Sequence, residues 1–312
     1  MVNMVSIHDV SNIIYKVDEL TFNIINYCLQ TKTQMIALHD MDFVRLQLLN
    51  YLSELGYAST VASSYSQLEA FLKQANMLVT YTAGPLPNEE ETEVLEAFLM
   101  NGGTWVSFHG SAGGFAEKPR KGEGNWRRIK KFKYHELMGG AFLNHPPHIK
   151  FNVDVSHDDS VKHLTDGLPN TFETIDEVYL IELQDKPNTN VFLTTQRTDE
   201  SARTPPFGFK YDVHPALEGP NGSTLAIGYE RKIGKGKVIY MGLGHTHSPK
   251  QPNGGQTYVH KSANPNAKRP HKKHKDHVYD AQEDFPGSWL HPVFQTLVRN
   301  ALKIGLAPQA SL

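Results

Sequence analysis

From Gln34 onward the chain alternates short apolar runs with amphipathic stretches. Met35 to Leu38, Ser59 to Ala62, Met77 to Thr80 and Thr104 to Phe108 are brief β-rich runs. Phe43 to Leu55, Gln67 to Gln74 and Asn88 to Leu99 carry apolar residues at helical spacing. The last of these is the best marked. Asn88 is an N-cap candidate, Glu89, Glu90 and Glu91 complement the helix dipole, and Val94, Leu95, Phe98 and Leu99 form an apolar stripe that ends at Gly102 and Gly103. Strands alternating with helices at this spacing pair in parallel through right-handed crossovers. The expected fold is α/β, a doubly wound, mostly parallel sheet with helices on both faces.

The flanking segments differ. Ile149 to Val155, Val178 to Leu183, Val191 to Thr195, Thr224 to Tyr229 and Lys237 to Met241 read as strands, and Leu290 to Ile304 as a closing helix with Phe294, Leu297, Val298 and Leu302 on one face. Before the alternation, Ile13, Ile14, Val17, Leu20, Ile24 and Leu29 recur at near-helical spacing. They predict an N-terminal helical extension over residues 1–30, packed on the body or on another subunit of a homo-oligomer. Residues 31–312 read as one domain, interrupted at about 248–284 by a Pro-, Asn-, Lys- and His-rich insertion with the composition of a mobile loop or partner-binding segment.

Composition narrows the partners. A net charge of −2 gives no global pull toward nucleic acid or a bilayer surface, so a small neutral ligand is expected instead. Cys28 is the only cysteine, which excludes an intrachain disulfide and a Cys-based zinc cluster and points to a reducing cytoplasm. No signal-peptide pattern and no run of about 18 apolar residues is present, so no membrane partner is expected. No glycine-rich phosphate loop opens any predicted helix, which argues against a nucleotide cofactor.

Candidate chemistry gathers at four places. In the stretch GGTWVSFHGSAGG, from Gly102 to Gly114, a strand delivers His109 into a tight turn, where open α/β sheets bind ligands. His145 lies in GGAFLNHP, Asp176, Glu177 and Tyr179 in IDEVY at the start of a predicted strand, and His245 just after the strand KVIYM. A carboxylate brought near strand-end histidines can orient or protonate an imidazole. Ser111 offers a rival reading. HGSAG differs from the nucleophile elbow G-x-S-x-G in its first residue, and Ser111, Asp176 and His245 follow the chain order of an α/β-hydrolase triad, but a histidine is bulky where the strained turn needs glycine. Trp126, in the basic run between Phe115 and Tyr134, could offer an apolar face to a sugar ring. His271, His274 and His277, set among lysines, read as a solvated basic segment.

GGTWVSFHGS, MGGAFLNHP, IDEVY and GKGKVIYMGLGHTHS, in this order and at these separations, resemble the trehalose-utilisation ThuA-like family. The resemblance covers roughly residues 34–305. It implies a flavodoxin-like sheet of the class I glutamine amidotransferase-like superfamily and a role in carbohydrate metabolism, with oxidised disaccharides such as 3-keto-trehalose as substrates. It also implies His109, His145, Glu177 and His245 as pocket residues. Amidotransferases of that superfamily carry a cysteine at the turn after the corresponding strand. Here the turn reads FHGS, which excludes glutamine hydrolysis through a thiolate. The expectation is general acid–base chemistry by the three histidines, oriented by Asp176 or Glu177, in an isomerase, epimerase or lyase acting next to a ketone. A divalent metal held by some of the histidines is an alternative electrophile, and no other cofactor is implied. The competing class is a sugar-binding protein without turnover.

Overall fold

A computed structural model describes residues 23–28, 39–62, 64–82, 85–117, 128–145, 148–196, 217–218, 224–248, 258–260, 269–270, 277–279 and 284–306. Its first strand lies where the periodicity predicts a helix. Asn23–Cys28 (β1) pairs in parallel with Ala58–Ala62 (β2) on one side and Met77–Tyr81 (β3) on the other. Over six residues, helical spacing and strand alternation are indistinguishable, and the neighbouring ladders decide. The helical extension is thus corrected at its end. Residues 1–22 and the strand expected at Met35 to Leu38 lie outside the described residues.

Further strands include Thr104–Phe108 (β4), Gly140–Asn144 (β5), Ile149–Val155 (β6), Thr171–Asp176 (β7), Leu180–Leu183 (β8), Thr189–Gln196 (β9), Thr224–Ile233 (β10) and Gly236–Met241 (β11). The main sheet runs β2-β1-β3-β4-β11-β10-β9-β6-β7, with Leu217–Glu218 along β10, while β5 and β8 form a separate antiparallel pair. From β2 to β11 the four pairings are parallel. From β11 to β7 all four are antiparallel. The expected flavodoxin-like, mostly parallel sheet is therefore wrong: the sheet is mixed.

Two features explain the mixture. Ile233 faces Gly236 across a turn made only of Gly234 and Lys235, with Gly234 at φ +56°. Such a turn reverses the chain, whereas a parallel neighbour needs a crossover of a dozen or more residues. Burial differs as well. Every residue of β3 and β4 is buried, as between two helical layers, whereas β6 alternates buried positions with exposed or half-buried ones, as in a sheet solvated on one face.

Helices Met41–Glu54 (α1) and Pro292–Lys303 (α6) share one apolar cluster with the sheet, and Leu68–Leu72 (α2), Glu89–Met100 (α3) and Lys133–Met138 (α4) share another. Lys162–Thr165 (α5) is a single turn. α3 opens with a capping box in which the Asn88 side chain accepts from the Glu91 N–H and Glu91 from the Asn88 N–H, each at 2.8 Å. α6 buries Phe294, Leu297, Val298 and Leu302, as its stripe requires. Between β11 and α6, Tyr258–His260, Arg269–Pro270 and His277–Tyr279 form a small antiparallel sheet. No helix among the described residues is long and apolar enough to cross a membrane.

The register of the parallel half positions the site. Cys28 is paired with Tyr81, Tyr81 with Phe108, and Phe108 with Met241, so these strands end on one line. The residues that follow Tyr81, Phe108 and Met241 emerge side by side at the carboxyl edge.

Candidate functional site

His109 follows β4 at φ +40°, a left-handed conformation uncommon outside glycine. It opens a turn of 3₁₀ helix from His109 to Ala112. Two contacts to β11 and the residue after it hold it there: the Tyr240 hydroxyl donates to the His109 carbonyl at 2.9 Å, and the ring Nδ1 lies 2.8 Å from the Gly242 carbonyl. A carbonyl only accepts, so Nδ1 carries a proton and Nε2 is left facing the site.

The loop after β11 is pinned by Asp176, the last residue of β7. Its Oδ1 accepts from the N–H groups of Glu177 (2.8 Å) and His245 (3.0 Å). Its Oδ2 accepts from the N–H groups of Gly244 (2.8 Å) and Ser288 (3.0 Å) and from the Ser288 hydroxyl (2.6 Å). One buried carboxylate thus joins three chain segments. Gly244 adopts φ +108°, and its carbonyl accepts from the Trp289 indole N–H at 2.9 Å.

The arrangement centres on Glu177. Its Oε2 lies 3.3 Å from His109 Nε2 and 3.1 Å from His245 Nδ1; its Oε1 lies 3.3 Å from both His145 Nδ1 and His148 Nε2. His145 comes from the end of β5, and His148 stands just before β6. Glu177, His109, His148 and His245 are buried, whereas the His145 side chain is 26% exposed and forms the rim. Burial alone would push the Glu177 carboxyl up, but His145 and His245, with contacts from His109 and His148, outweigh it and hold the group well below the ordinary carboxylate range. Burial drives His245 well below the ordinary imidazole range, against the pull of Glu177. The centre is a carboxylate ringed by imidazoles.

Further histidines complete the ring. Asp40 caps α1 by accepting from the Phe43 N–H, and its own N–H donates to Thr246 O at 3.1 Å, which holds His39 beside the loop after β11. The His39 ring lies 4.8 Å from that of His245 and 5.2 Å from that of His109. Neither of its nitrogens has a hydrogen-bond partner among the described residues. Burial, reinforced by His109, lowers its pKa to about 3. His247 pairs backbone to backbone with Phe285, whose ring stacks on His148 at 4.3 Å. Two sets can offer ligand atoms within 4.8 Å of one another, His39 with His109 and His245, and His148 with His245 and His247. Both are donor sets for a divalent metal.

Residues 39–253 match the profile of the ThuA family, described as trehalose utilisation. The chain belongs to the ThuA family. A ThuA-like protein from Bacteroides uniformis shares the fold at 16% identity, over 94% of this chain and 95% of that one, with a TM-score of 0.54. A ThuA-like protein from Parabacteroides merdae does so at 13% identity, over 92% and 90%, with a TM-score of 0.53. No curated protein matches the chain.

Of the residues singled out in the sequence, His109, His145, Glu177 and His245 meet in one cluster. Tyr179 packs against them, its ring 3.9 Å from that of His109 and stacked on His145 at 5.7 Å. Asp176 ends a strand, where the sequence places it at the start of one, and its hydrogen bonds serve the frame. The Ser111 hydroxyl donates to Thr80 O and accepts from the Thr82 N–H, each at 3.2 Å. The strained residue of the turn is His109, not Ser111. Trp126 lies outside the described residues.

His39, His148 and His247 escape the sequence reading. His39 follows the apolar run Met35 to Leu38 just as His109 and His245 follow theirs, and that signal was available. His247 lies two residues beyond His245, the spacing that returns an extended chain to the same side.

Proposed function

We propose that this ThuA-family protein is a cytoplasmic enzyme acting on an oxidised disaccharide such as 3-keto-trehalose, as an isomerase, epimerase or lyase, by proton transfer next to the ketone. The observation that carries the reading is Glu177, a buried carboxylate with an imidazole nitrogen of four histidines within 3.3 Å. His145 is the acid–base group, because it alone among those four reaches solvent appreciably. With Nδ1–H donated to Glu177, its Nε2 is the basic nitrogen, and the carboxylate stabilises the imidazolium formed when that nitrogen takes a proton. The electron pair released from carbon moves to the ketone oxygen, which needs positive potential on the inner side of the site. Tyr179 and Phe142, with ring centroids 4.4 Å apart beside His145, offer an apolar wall to a sugar ring.

The test is solvent exchange. In D2O, the protein should introduce deuterium at the carbon next to the ketone of 3-keto-trehalose, followed by NMR. His145→Gln should slow that exchange by about 10²- to 10⁴-fold, the usual worth of a positioned proton-transfer group, with binding retained. Binding of the keto sugar by the wild-type protein with neither exchange nor turnover would favour the sugar-binding reading instead.

A further inference from the structure

The inner face of the cluster brings three ligand-type atoms together. His109 Nε2, His245 Nδ1 and Glu177 Oε2 form a nearly equilateral triangle with edges of 3.3, 3.3 and 3.1 Å. A charge-assisted hydrogen bond between such atoms is shorter, about 2.7–2.9 Å. The edges instead suit a coordination polyhedron, because ligands about 2.0–2.2 Å from a zinc-class ion lie roughly 2.8–3.6 Å from one another.

His109 Nδ1 faces the Gly242 carbonyl, which leaves Nε2 as the nitrogen turned toward Glu177 and His245. A cation inside the triangle satisfies all three atoms at once. The proton that His109 donates to a backbone carbonyl is the outer-shell bond that ligating histidines usually make.

An independent observation comes from a different element. His39, ahead of α1, is 6% exposed, has no hydrogen-bond partner at either ring nitrogen among the described residues, and can bring a ligand atom within 4.8 Å of those of His109 and His245. Two bare nitrogens on a buried imidazole are costly unless something occupies them.

We propose that the inner face is a divalent transition-metal site, with His109 Nε2, His245 Nδ1 and Glu177 Oε2 as the ligand triangle and His39 as the fourth donor. Three imidazoles and one carboxylate suit zinc, cobalt, iron or manganese over magnesium or calcium, which prefer all-oxygen ligation. His109 brings to this set a ring whose Nδ1 faces the Gly242 carbonyl; the other donor set joins His245 to His148 and His247. The inference rests on the acid–base reading only for the metal's role, which is to polarise the ketone oxygen while His145 handles the proton at the rim.

Metal binding is measured without sugar, so its failure and that of the sugar reading are separable. Full-length protein is stripped with a chelator, then titrated with Zn²⁺ by calorimetry and with Co²⁺ by visible absorption. The expected result is one tight equivalent per chain, with Co²⁺ bands of four- or five-coordinate intensity. His39→Gln and His109→Gln should each weaken affinity at least tenfold, while His145→Gln changes it by less than about threefold. Absence of a stoichiometric site in the wild-type protein overturns the proposal. So does affinity that survives His39→Gln and His109→Gln but is lost in His148→Gln, which would put the ion on the other set. If the exchanges impair folding, the wild-type protein still decides: one equivalent of Zn²⁺ should raise Tm by several degrees and protect His39 and His109 from diethyl pyrocarbonate, and no protection counts against the site.

Discussion

The parallel and antiparallel halves of the sheet contribute differently to the site. β4 and β11 are adjacent parallel strands ending in register at Phe108 and Met241, so His109 and the loop carrying His245 leave the sheet side by side. Their placement follows from strand pairing. Elsewhere, β6 and β7 of the antiparallel half deliver His148 and Glu177, β5 of the separate pair delivers His145, and Asp176 ties the end of β7 to the loop after β11. One Glu177 oxygen faces His109 and His245, which leave the parallel half, and the other faces His145 and His148. Strand register thus places two of the histidines, and the charge at the end of β7 joins them to the other two.

Glu177→Gln should break that junction most severely. It keeps the shape but offers an amide where four imidazoles face a carboxylate. Deuterium exchange into the keto sugar should fall by roughly 10³-fold or more, and the melting temperature should drop, since a buried ionic network would lose its anion. Near-normal exchange in a folded Glu177→Gln protein would remove the carboxylate from the chemistry.

Asp176→Asn tests the tie alone. An amide can accept at one position only, which leaves two or more of the five donors short of a partner. A stability loss of about 1–3 kcal/mol by chemical denaturation is expected. Zinc affinity of the folded fraction should also weaken, because His245 and Glu177 lose their common anchor. Unchanged affinity would mean that β11 alone holds its loop.

His135 gives the smallest and sharpest contrast, as a buried histidine with both nitrogens in use. Its Nδ1 accepts from the Phe132 N–H at 3.1 Å and its Nε2 lies 2.9 Å from the Gly113 carbonyl, whereas His39 has neither contact. Burial lowers its pKa below 6.5, opposed by the Gly113 carbonyl. The unfolded chain therefore binds more protons, and stability rises with pH. This contribution is complete above about pH 6.5 and is lost as the pH falls toward the lowered value. Between pH 7.5 and 5 the wild-type Tm should fall more than that of His135→Gln, with sugar exchange at pH 7.5 alike in both. Parallel Tm curves would show that His135 is no part of the acid sensitivity.

Much of this was legible in the residues themselves. α3 carries its cap, acidic first turn and stripe in contiguous residues, so local chemistry sufficed to place it. His109 and His245 were found because an apolar β-rich run followed by a histidine marks a strand end whatever the topology. The same rule, applied to Met35 to Leu38, would have reached His39.

The tertiary structure decided what no local pattern holds. β1 is a strand because β2 and β3 flank it, and the two-residue turn after β10 turned an expected parallel sheet into a mixed one. Asp176 and Glu177 show the limit most plainly. As neighbours in the sequence they are equivalent by spacing, and only the family resemblance favours Glu177, yet successive side chains at a strand end point to opposite sides. One enters the frame and accepts five hydrogen bonds; the other enters the ring of histidines. Composition and spacing determine that a carboxylate stands there, but which side faces the site depends on packing between segments more than 60 residues apart.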